Sequence, residues 1–227
     1  MNPDRRQSVE INVNIAILGC LLLLPAAAAE KNPHDGPKID PARVFSFEKQ
    51  EIALDDFPAE GWILDIGGGG EGVIGRLKGN QVVAIDLYSW GLRRTPPGPL
   101  KLVMDATDLK FLDGTFGTVT SFFTLMYMDE PSQAKAMAEC FRVLKSGGRM
   151  RIWDVQLPVA PNPRQDMAVY PFTFRLPKET VETGYGTTFP KQPMDLEYYA
   201  QLAAKTGFVT EERQSVGRTF RLTLRKP

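Results

Sequence analysis

The stretch ILDIGGGGEG, residues 63–72, sets four consecutive glycines directly after an apolar run and between two carboxylates, Asp65 and Glu71. A short apolar run that ends at glycine is typical of a buried strand. Glycine has no Cβ, so a ligand can approach the backbone of such a turn closely. Apolar residues on one helical face follow, up to a stop at Gly79. The stretch therefore predicts a strand, a ligand-binding turn and a helix.

The alternation of apolar strand and amphipathic helix continues along the chain. Apolar runs predict further strands in QVVAIDL, LKLVMDA, TVTSFFTLMYM and RMRIWDVQL, and EPSQAKAMAECFRVLKSGG predicts a helix that closes at Gly147. Strands that are apolar throughout indicate a parallel sheet covered on both faces. DLEYYAQLAAKTG predicts a last helix, and FVTEERQS and TFRLTLRK predict a hairpin. The predicted fold class is α/β: a Rossmann-like, doubly wound, mostly parallel sheet with an antiparallel C-terminal hairpin strand.

Residues 158–193 interrupt this alternation, because they are rich in proline and aromatic residues. Two strand-like pieces, around residues 170–175 and 179–185, predict an insertion that forms a flap. Proline cannot donate a hydrogen bond to a neighbouring strand, so Pro171 is expected to confine the first piece to a sheet edge. The segment ARVFSFEKQEIALDDFP, near residues 42–58, is a candidate lead-in element before the first strand.

Composition excludes several classes of function. The chain has 227 residues with 27 Lys and Arg against 27 Asp and Glu, so its formal net charge is zero and argues against a nucleic-acid partner. Two cysteines cannot form a disulfide framework, and no cysteine or histidine spacing predicts a metal site. His34 is the only histidine, which argues against catalysis by a Ser-His or Cys-His pair.

Asp86 ends the second predicted strand and indicates an adenosine-containing cofactor. In an open α/β sheet, ligands bind beyond the carboxyl ends of the strands, where a carboxylate can accept both hydroxyls of a ribose. Gly67, Gly69 and Gly72 also satisfy G-x-G-x-x-G, the dinucleotide fingerprint, although this match is weak on its own. An NAD(P)-dependent oxidoreductase is therefore one reading of the glycines.

The two carboxylates favour a different cofactor. A pyrophosphate at this turn would lie close to Glu71, and two like charges about 6 Å apart repel by about 3 kcal/mol at an effective dielectric constant of about 20. S-adenosylmethionine has no phosphate, and Asp65 suits its sulfonium and ammonium groups. Glu71 is then expected to face solvent in the first helical turn, where negative charge is favourable. The sequence therefore predicts S-adenosylmethionine as the cofactor.

Four motifs together resemble those of class I SAM-dependent methyltransferases: ILDIGGGGEG, VVAIDL, MDATDLKFLDGTFGTVTSFFTLMYM and LKSGGRMRIWDV. Over about residues 60–157 they are most similar to the small-molecule, type 11 group. The family's last loop glycine is replaced here by Glu71. The resemblance implies these roles: the methionine end at Asp65, Gly67, Gly68 and Gly69, the ribose at Asp86, the adenine at Leu87, Asp105 and Ala106, and the sulfonium near Ser121 and Phe122.

The acceptor is less well defined by the sequence. Methyl transfer mainly requires alignment of donor and acceptor, and a general base is needed only if the acceptor must lose a proton. FFTL stands where enzymes that methylate nucleobase amino groups carry an [N/D/S]-P-P-[Y/F] loop, and no cysteine there suits cytosine C5 chemistry. The aromatic flap predicts a moderately apolar small-molecule acceptor. Five residues near the expected strand ends or in the flap are candidate bases, none of them assigned a catalytic role: Tyr127, Asp129, Asp154, Tyr170 and Tyr185. A non-catalytic cofactor-binding or interaction domain is the remaining alternative.

The N-terminal 30 residues are considered separately. Arg5 and Arg6 precede an apolar stretch at residues 11–29 that ends in small residues, which predicts a secretory signal or a membrane anchor. A mis-assigned start codon is the alternative. The predicted organisation is thus residues 1–30 as a signal-like or anchor segment and residues 31–227 as the methyltransferase domain. SAM dependence requires a cytoplasmic cofactor pool whereas this segment suggests export or membrane association, so localisation stays open.

Overall fold

The computed structural model describes residues 40–227 and, for the backbone only, residues 16–17. The remaining N-terminal residues, including most of the predicted signal or anchor segment and His34, lie outside the described part. The strands are β1 (Ala16–Ile17), β2 (Val44–Ser46), β3 (Gln50–Ala53), β4 (Ile63–Ile66), β5 (Val82–Asp86), β6 (Leu100–Val103), β7 (Phe116–Phe122), β8 (Leu144–Val155), β9 (Met167–Arg175), β10 (Thr180–Thr188), β11 (Val209–Val216) and β12 (Thr219–Arg225). The helices are α1 (Val73–Lys78), α2 (Ser89–Arg94), α3 (Glu130–Val143) and α4 (Leu196–Thr206).

Seven strands form the central sheet, in the order β11-β12-β8-β7-β4-β5-β6. Strands β4 to β8 pair in parallel with one another, whereas β12 pairs antiparallel with β8 and β11 antiparallel with β12. The chain runs outward from β4 through β5 to β6 and then returns to β7 on the other side of β4. The predicted fold class is confirmed, and the topological switch point lies between β4 and β7, where ligands bind in such sheets.

The C-terminal elements form as predicted. Phe220, Leu222 and Leu224 are buried on one face of β12, and their burial gives the hairpin its alternating pattern. Asp195 caps α4 by accepting a hydrogen bond from the backbone N–H of Tyr198 (3.0 Å), and Gly207 ends the helix in the left-handed region at φ 107°.

A second sheet is built on the two strands predicted within residues 158–193. β9 and β10 pair antiparallel, β2 and β3 add in parallel to the other side of β9, and β1 adds to β10. The lead-in segment is thus two short strands. The prediction that Pro171 confines β9 to an edge was wrong, because β9 has neighbours on both sides. β2 ends opposite Val169 and β3 begins opposite Phe172, so the proline occupies the gap between the two partners, where no ladder hydrogen bond is required.

Two strand predictions need correction. β7 ends at Phe122, and the Leu125–Tyr127 segment forms a 3-10 helix instead of continuing the strand. β6 is the edge of the central sheet, and Leu100 and Val103 are each more than half exposed. The expectation that every strand is covered on both faces was therefore wrong for β6.

The end of α3 was also predicted wrongly. The helix stops at Val143 rather than at Gly147, and Leu144 already belongs to β8. Lys226, near the end of the chain, donates hydrogen bonds from Nζ to the carbonyls of Phe141 and Leu144, both at 2.8 Å. A cation that satisfies the last carbonyls stabilises a helix end. Lys226 does so at the end of α3, where the sequence had predicted that Gly147 would end the helix.

Within residues 40–227, no helix combines the length and the apolar character needed to cross a membrane.

Candidate functional site

The carboxyl edge of the central sheet brings the predicted site residues into one region. Asp65 lies within β4, Asp86 ends β5, Asp105 follows β6 and Phe122 ends β7. These strands are parallel and adjacent in the sheet, so their carboxyl ends open onto the same crevice. Which of these side chains contact a cofactor remains a prediction, and their surroundings decide what each can contribute.

The glycine loop, residues 67–72, is shaped by the protein's own packing. Gly67, Gly70 and Gly72 adopt left-handed φ angles of 68°, 66° and 59°, which glycine reaches without steric cost. A Cβ at position 67 would overlap the side chain of Thr124, and a Cβ at position 68 would lie 2.7 Å from Oδ2 of Asp65. The absence of side chains is therefore required by neighbouring protein atoms, not only by a ligand.

Asp65 lies beneath the loop, with 2% of its surface exposed. Oγ1 of Thr120 donates a hydrogen bond to its Oδ1 at 2.7 Å. The pKa of Asp65 is raised to about 7, mainly by burial and in smaller part by the negative charge of Asp86, while the hydrogen bond from Thr120 acts in the opposite direction. The carboxyl group is therefore poised to ionise when a positive ligand group approaches.

The residues expected to hold the adenosine are more accessible. Oδ1 of Asp86 accepts a hydrogen bond from the backbone N–H of Tyr88 at 2.9 Å, and burial raises the pKa of Asp86. Leu87, the next residue, is 50% exposed. Asp105 is exposed and accepts hydrogen bonds from both N and Oγ1 of Thr107 at 2.8 Å, so one of its oxygens caps a turn. Ala106 beside it is buried.

This donor set fits S-adenosylmethionine. Three carboxylates at successive strand ends, Asp65, Asp86 and Asp105, can accept hydrogen bonds from an ammonium group, a ribose diol and an adenine amino group. Of the three, Asp65 is the carboxylate beneath the glycine loop, and its negative charge would disfavour a pyrophosphate bound there. The chemistry of the site therefore suits a cationic adenosyl ligand.

Glu71 does not lie where it was predicted. The helix α1 begins at Val73 and has no acidic residue in its first turn. The Glu71 carboxylate instead accepts hydrogen bonds from Oγ1 of Thr183 at 2.7 Å and from the hydroxyl of Tyr185 at 3.3 Å. The expectation that Glu71 lies in the first helical turn was wrong; its carboxylate is partly buried and joins the glycine loop to β10 of the second sheet.

Phe123 is a site feature that sequence reasoning missed. It follows β7 directly and is the one residue other than glycine with positive φ, 50°, within residues 40–227. Its ring stacks on Tyr185 at 5.0 Å between centroids and contacts Phe172 at 5.0 Å. A buried aromatic residue in the left-handed region is uncommon and persists only where the surroundings impose it. The sequence carries no signal for this conformation.

The candidate bases differ in their surroundings. Asp154 is fully buried and accepts hydrogen bonds from the backbone N–H groups of Met126 (3.2 Å) and Val155 (2.8 Å), and burial raises its pKa to about 7. Asp129 caps α3 through the N–H of Ser132. Both acids therefore have structural partners.

The tyrosines lie closer to the second sheet. Burial raises the pKa of Tyr127, and the negative charges of Asp154 and Glu71 raise it further. Burial likewise raises the pKa of Tyr185 well above its usual value. The Tyr170 hydroxyl is buried and has no hydrogen-bond partner within the described residues.

The middle of the chain matches a known family. Residues 64–152 match the family model described as "Methyltransferase domain". A demethylmenaquinone methyltransferase of Clavibacter sepedonicus is 38% identical over 100 residues, which is 41% of this chain and 40% of that protein. A demethylmenaquinone methyltransferase of Renibacterium salmoninarum is 38% identical over 84 residues, which is 35% of this chain and 34% of that protein. The chain thus spans about two fifths or less of the length of these curated relatives.

Solved structures share the fold. A SAM-dependent methyltransferase from Methanosarcina mazei superposes with a TM-score of 0.53 at 19% identity, covering 75% of this chain and 94% of that one. An S-adenosylmethionine dependent methyltransferase from Mesorhizobium loti gives a TM-score of 0.53 at 14% identity, with coverage of 75% and 94%. The match of residues 64–152 to the methyltransferase domain family favours methyl transfer over the oxidoreductase alternative. Residues 64–152 are thus similar to the methyltransferase domain family, and the carboxylates and glycines at the sheet edge have the chemistry that S-adenosylmethionine requires.

Proposed function

We propose that the whole chain transfers a methyl group from S-adenosylmethionine to a small-molecule acceptor. The observation that carries this proposal is the match of residues 64–152 to the methyltransferase domain family, on a sheet whose switch point carries the glycine loop. When bound, the cofactor supplies an electrophilic methyl group on a positive sulfur. The residues of the chain then have to hold it, align the acceptor and exclude water.

The roles of the site residues form part of the proposal. Asp86 accepts the ribose hydroxyls, Asp105 the adenine amino group, and Leu87 and Ala106 provide apolar contacts for the adenine. Asp65, with Gly67, Gly68 and Gly69, holds the methionine end, and Phe122 borders the sulfur. Support comes from the half-exposed Leu87 and the accessible Asp105 on the adenosine side, together with the burial of Asp65 on the other.

We further propose that the acceptor is apolar and aromatic in character. Two curated relatives are named demethylmenaquinone methyltransferases. The aligned region covers less than half of the length of each relative. In this chain, the β9–β10 insertion turns Phe172, Phe174 and Tyr185 towards the end of β7, which supports a flap that covers an apolar acceptor.

Turnover with a panel of acceptors tests the function. The purified chain is incubated with methyl-labelled S-adenosylmethionine and either small hydrophobic aromatic compounds, transfer RNA or a protein mixture. The proposal predicts label in one or more of the small compounds, at a rate that falls when Asp86 is replaced by alanine. Faster labelling of RNA or protein would contradict the acceptor class, and no labelling of any acceptor would favour a non-catalytic cofactor-binding domain.

Membrane association or export through residues 11–29 also stays a proposal. Within that stretch, the backbone of β1 pairs in parallel with β10 opposite Tyr185 and Gly186, and a segment inserted in a bilayer would not form this pairing. Cell fractionation combined with mass spectrometry of the mature N-terminus tests the alternatives. A full-length N-terminus in the soluble fraction would contradict both cleavage and anchoring.

A further inference from the structure

Glu71 presents its carboxylate to the inner face of the second sheet, at the crevice where the methyl donor is expected. A carboxylate has about four sites that accept hydrogen bonds. Within the described residues, Thr183 and Tyr185 fill two of them, at 2.7 Å and 3.3 Å. The carboxylate therefore has further capacity for a hydroxyl donor that enters from the crevice.

Tyr185 indicates which chemistry this place accepts. Its ring stacks on Phe123, with 5.0 Å between centroids and 26° between planes, while its hydroxyl donates to Glu71. A phenol is thus held here by an aromatic surface on one side and a carboxylate on the other. A ligand with an aromatic ring and a hydroxyl group would satisfy the same two features.

Further aromatic rings and one further hydroxyl group lie on the same face of the second sheet as Tyr185. On β9, the rings of Phe172 and Phe174 lie within 5.3 Å of the Phe123 ring, between centroids. Tyr170, on the same face and directly opposite Tyr185 in the ladder, is 1% exposed, and its hydroxyl has no partner within residues 40–227. A buried hydroxyl without a partner is costly, so Tyr170 leaves an unused polar group on the same face as Tyr185.

We propose that Glu71 binds the hydroxyl group of an aromatic acceptor and takes its proton during methyl transfer. This inference rests on the methyltransferase function proposed above. As the acceptor oxygen forms a bond to the transferred methyl carbon, the carbon–sulfur bond breaks and its electron pair stays on sulfur. The hydroxyl proton passes to the Glu71 carboxylate and from there to solvent, so the carboxylate is restored for the next cycle.

Binding of two probes that differ only in the proton tests this role. 2-Naphthol and 2-methoxynaphthalene are titrated by calorimetry into the full chain loaded with S-adenosylhomocysteine. A hydrogen bond to a charged group predicts that the wild-type protein binds 2-naphthol about tenfold more tightly or better. Glu71→Gln should reduce this preference at least about threefold, without changing the affinity for 2-methoxynaphthalene or for S-adenosylhomocysteine.

Glu179→Gln is the matched control. Glu179 also joins the second sheet to the α1 region, through a 2.5 Å ion pair with Arg76. Within the described residues it makes no hydrogen bond to Thr183 or Tyr185, the two hydroxyl groups that bond Glu71. Its replacement should leave the preference for 2-naphthol unchanged. An unchanged preference in Glu71→Gln, or equal or absent binding of both probes by the wild type, would overturn the inference. Failure of the wild type to bind S-adenosylhomocysteine would instead contradict the methyltransferase function itself, and the inference with it.

Discussion

The three aspartates at the carboxyl edge of the central sheet differ in how deeply they are buried. Asp65 is buried, Asp86 is partly covered and Asp105 is exposed. Burial disfavours the charged form of a carboxyl group, so Asp65 is the acid whose ionisation depends most on a positive ligand. Asp86 is less buried and already accepts a hydrogen bond from the backbone N–H of Tyr88, so it is better placed to accept hydrogen bonds from a neutral diol.

Replacement of Asp86 by alanine should weaken binding of S-adenosylhomocysteine by about tenfold or more, because a hydrogen bond to a charged acceptor is lost. Isothermal titration calorimetry measures the change. Asp108→Ala is the control, since Asp108 is exposed and pairs with Lys110 at 2.5 Å on the surface. Equal affinities of wild type and Asp86→Ala would show that the ribose binds elsewhere.

Asp65 should make the free protein less stable as pH rises. Its folded-state pKa is raised to about 7 from the ordinary value of 3.8, so the folded state retains a proton that the unfolded state releases. The resulting stabilisation is fully present below about pH 4 and is lost as pH rises through about 7. Between pH 5 and pH 7.5 the loss from Asp65 amounts to roughly 2 kcal/mol.

Urea unfolding at pH 5 and at pH 7.5 measures this effect. Asp65→Asn should unfold with a smaller difference between the two pH values, the remainder arising from Asp154, whose pKa burial also raises to about 7. A pH dependence identical to that of the wild type would mean that Asp65 is already ionised in the folded protein.

The sequence predicted which residues lie at the carboxyl edge of the central sheet, but it did not always predict which neighbours their side chains contact. The carboxylates at the ends of β4 and β5 follow from where an apolar run stops, which is a local property. The partner of Glu71 is 112 residues away in sequence, and no local pattern predicts a contact of that length. Phe123, with its positive φ, packs against aromatic rings of β9 and β10, which are also remote from it along the chain.

At the level of elements, the glycine loop is the connection most constrained by its neighbours. Gly67 and Gly70 have nearly equal φ angles, 68° and 66°, yet a Cβ at position 67 would overlap Thr124 whereas one at position 70 would meet open space. The two positions therefore separate backbone strain from steric overlap.

Gly70→Ala should lower the free energy of unfolding by about 1–2 kcal/mol, the cost of a left-handed alanine. Gly67→Ala should cost more, by a further 1–3 kcal/mol or so, because the added methyl also overpacks a filled space. Urea denaturation of the two variants gives the comparison. Equal losses would mean that Thr124 moves aside freely and that the loop is not tightly packed.

Strands were easier to predict from the sequence than their limits and neighbours. Apolar runs identified β4, β5, β7 and β8 because a strand that is buried on both faces is apolar at nearly every position. The carbonyls at the end of α3 are bonded by Lys226, 85 residues beyond Phe141, and the exposure of β6 depends on its place at the sheet edge. Both are properties of the assembled sheet.

At the scale of the whole molecule, the second sheet covers one half of the crevice and leaves the other half accessible. β10 contacts the glycine loop through Glu71 and the turn after β7 through a hydrogen bond from Thr187 to the carbonyl of Met126 (3.0 Å). The adenosine side, at Leu87 and Asp105, stays accessible. An adenosine that enters from the open side would thus direct its reactive end towards the covered side, where an apolar acceptor is separated from water.

A thermal titration with two ligands tests the central claim, that this crevice binds a sulfur nucleoside rather than a dinucleotide. At about one hundred times its dissociation constant, S-adenosylhomocysteine should stabilise the chain by about 2.7 kcal/mol and raise its melting temperature by roughly 5 °C or more. NADH at the same concentration should leave the melting temperature unchanged. A rise with NADH and none with S-adenosylhomocysteine would contradict the account.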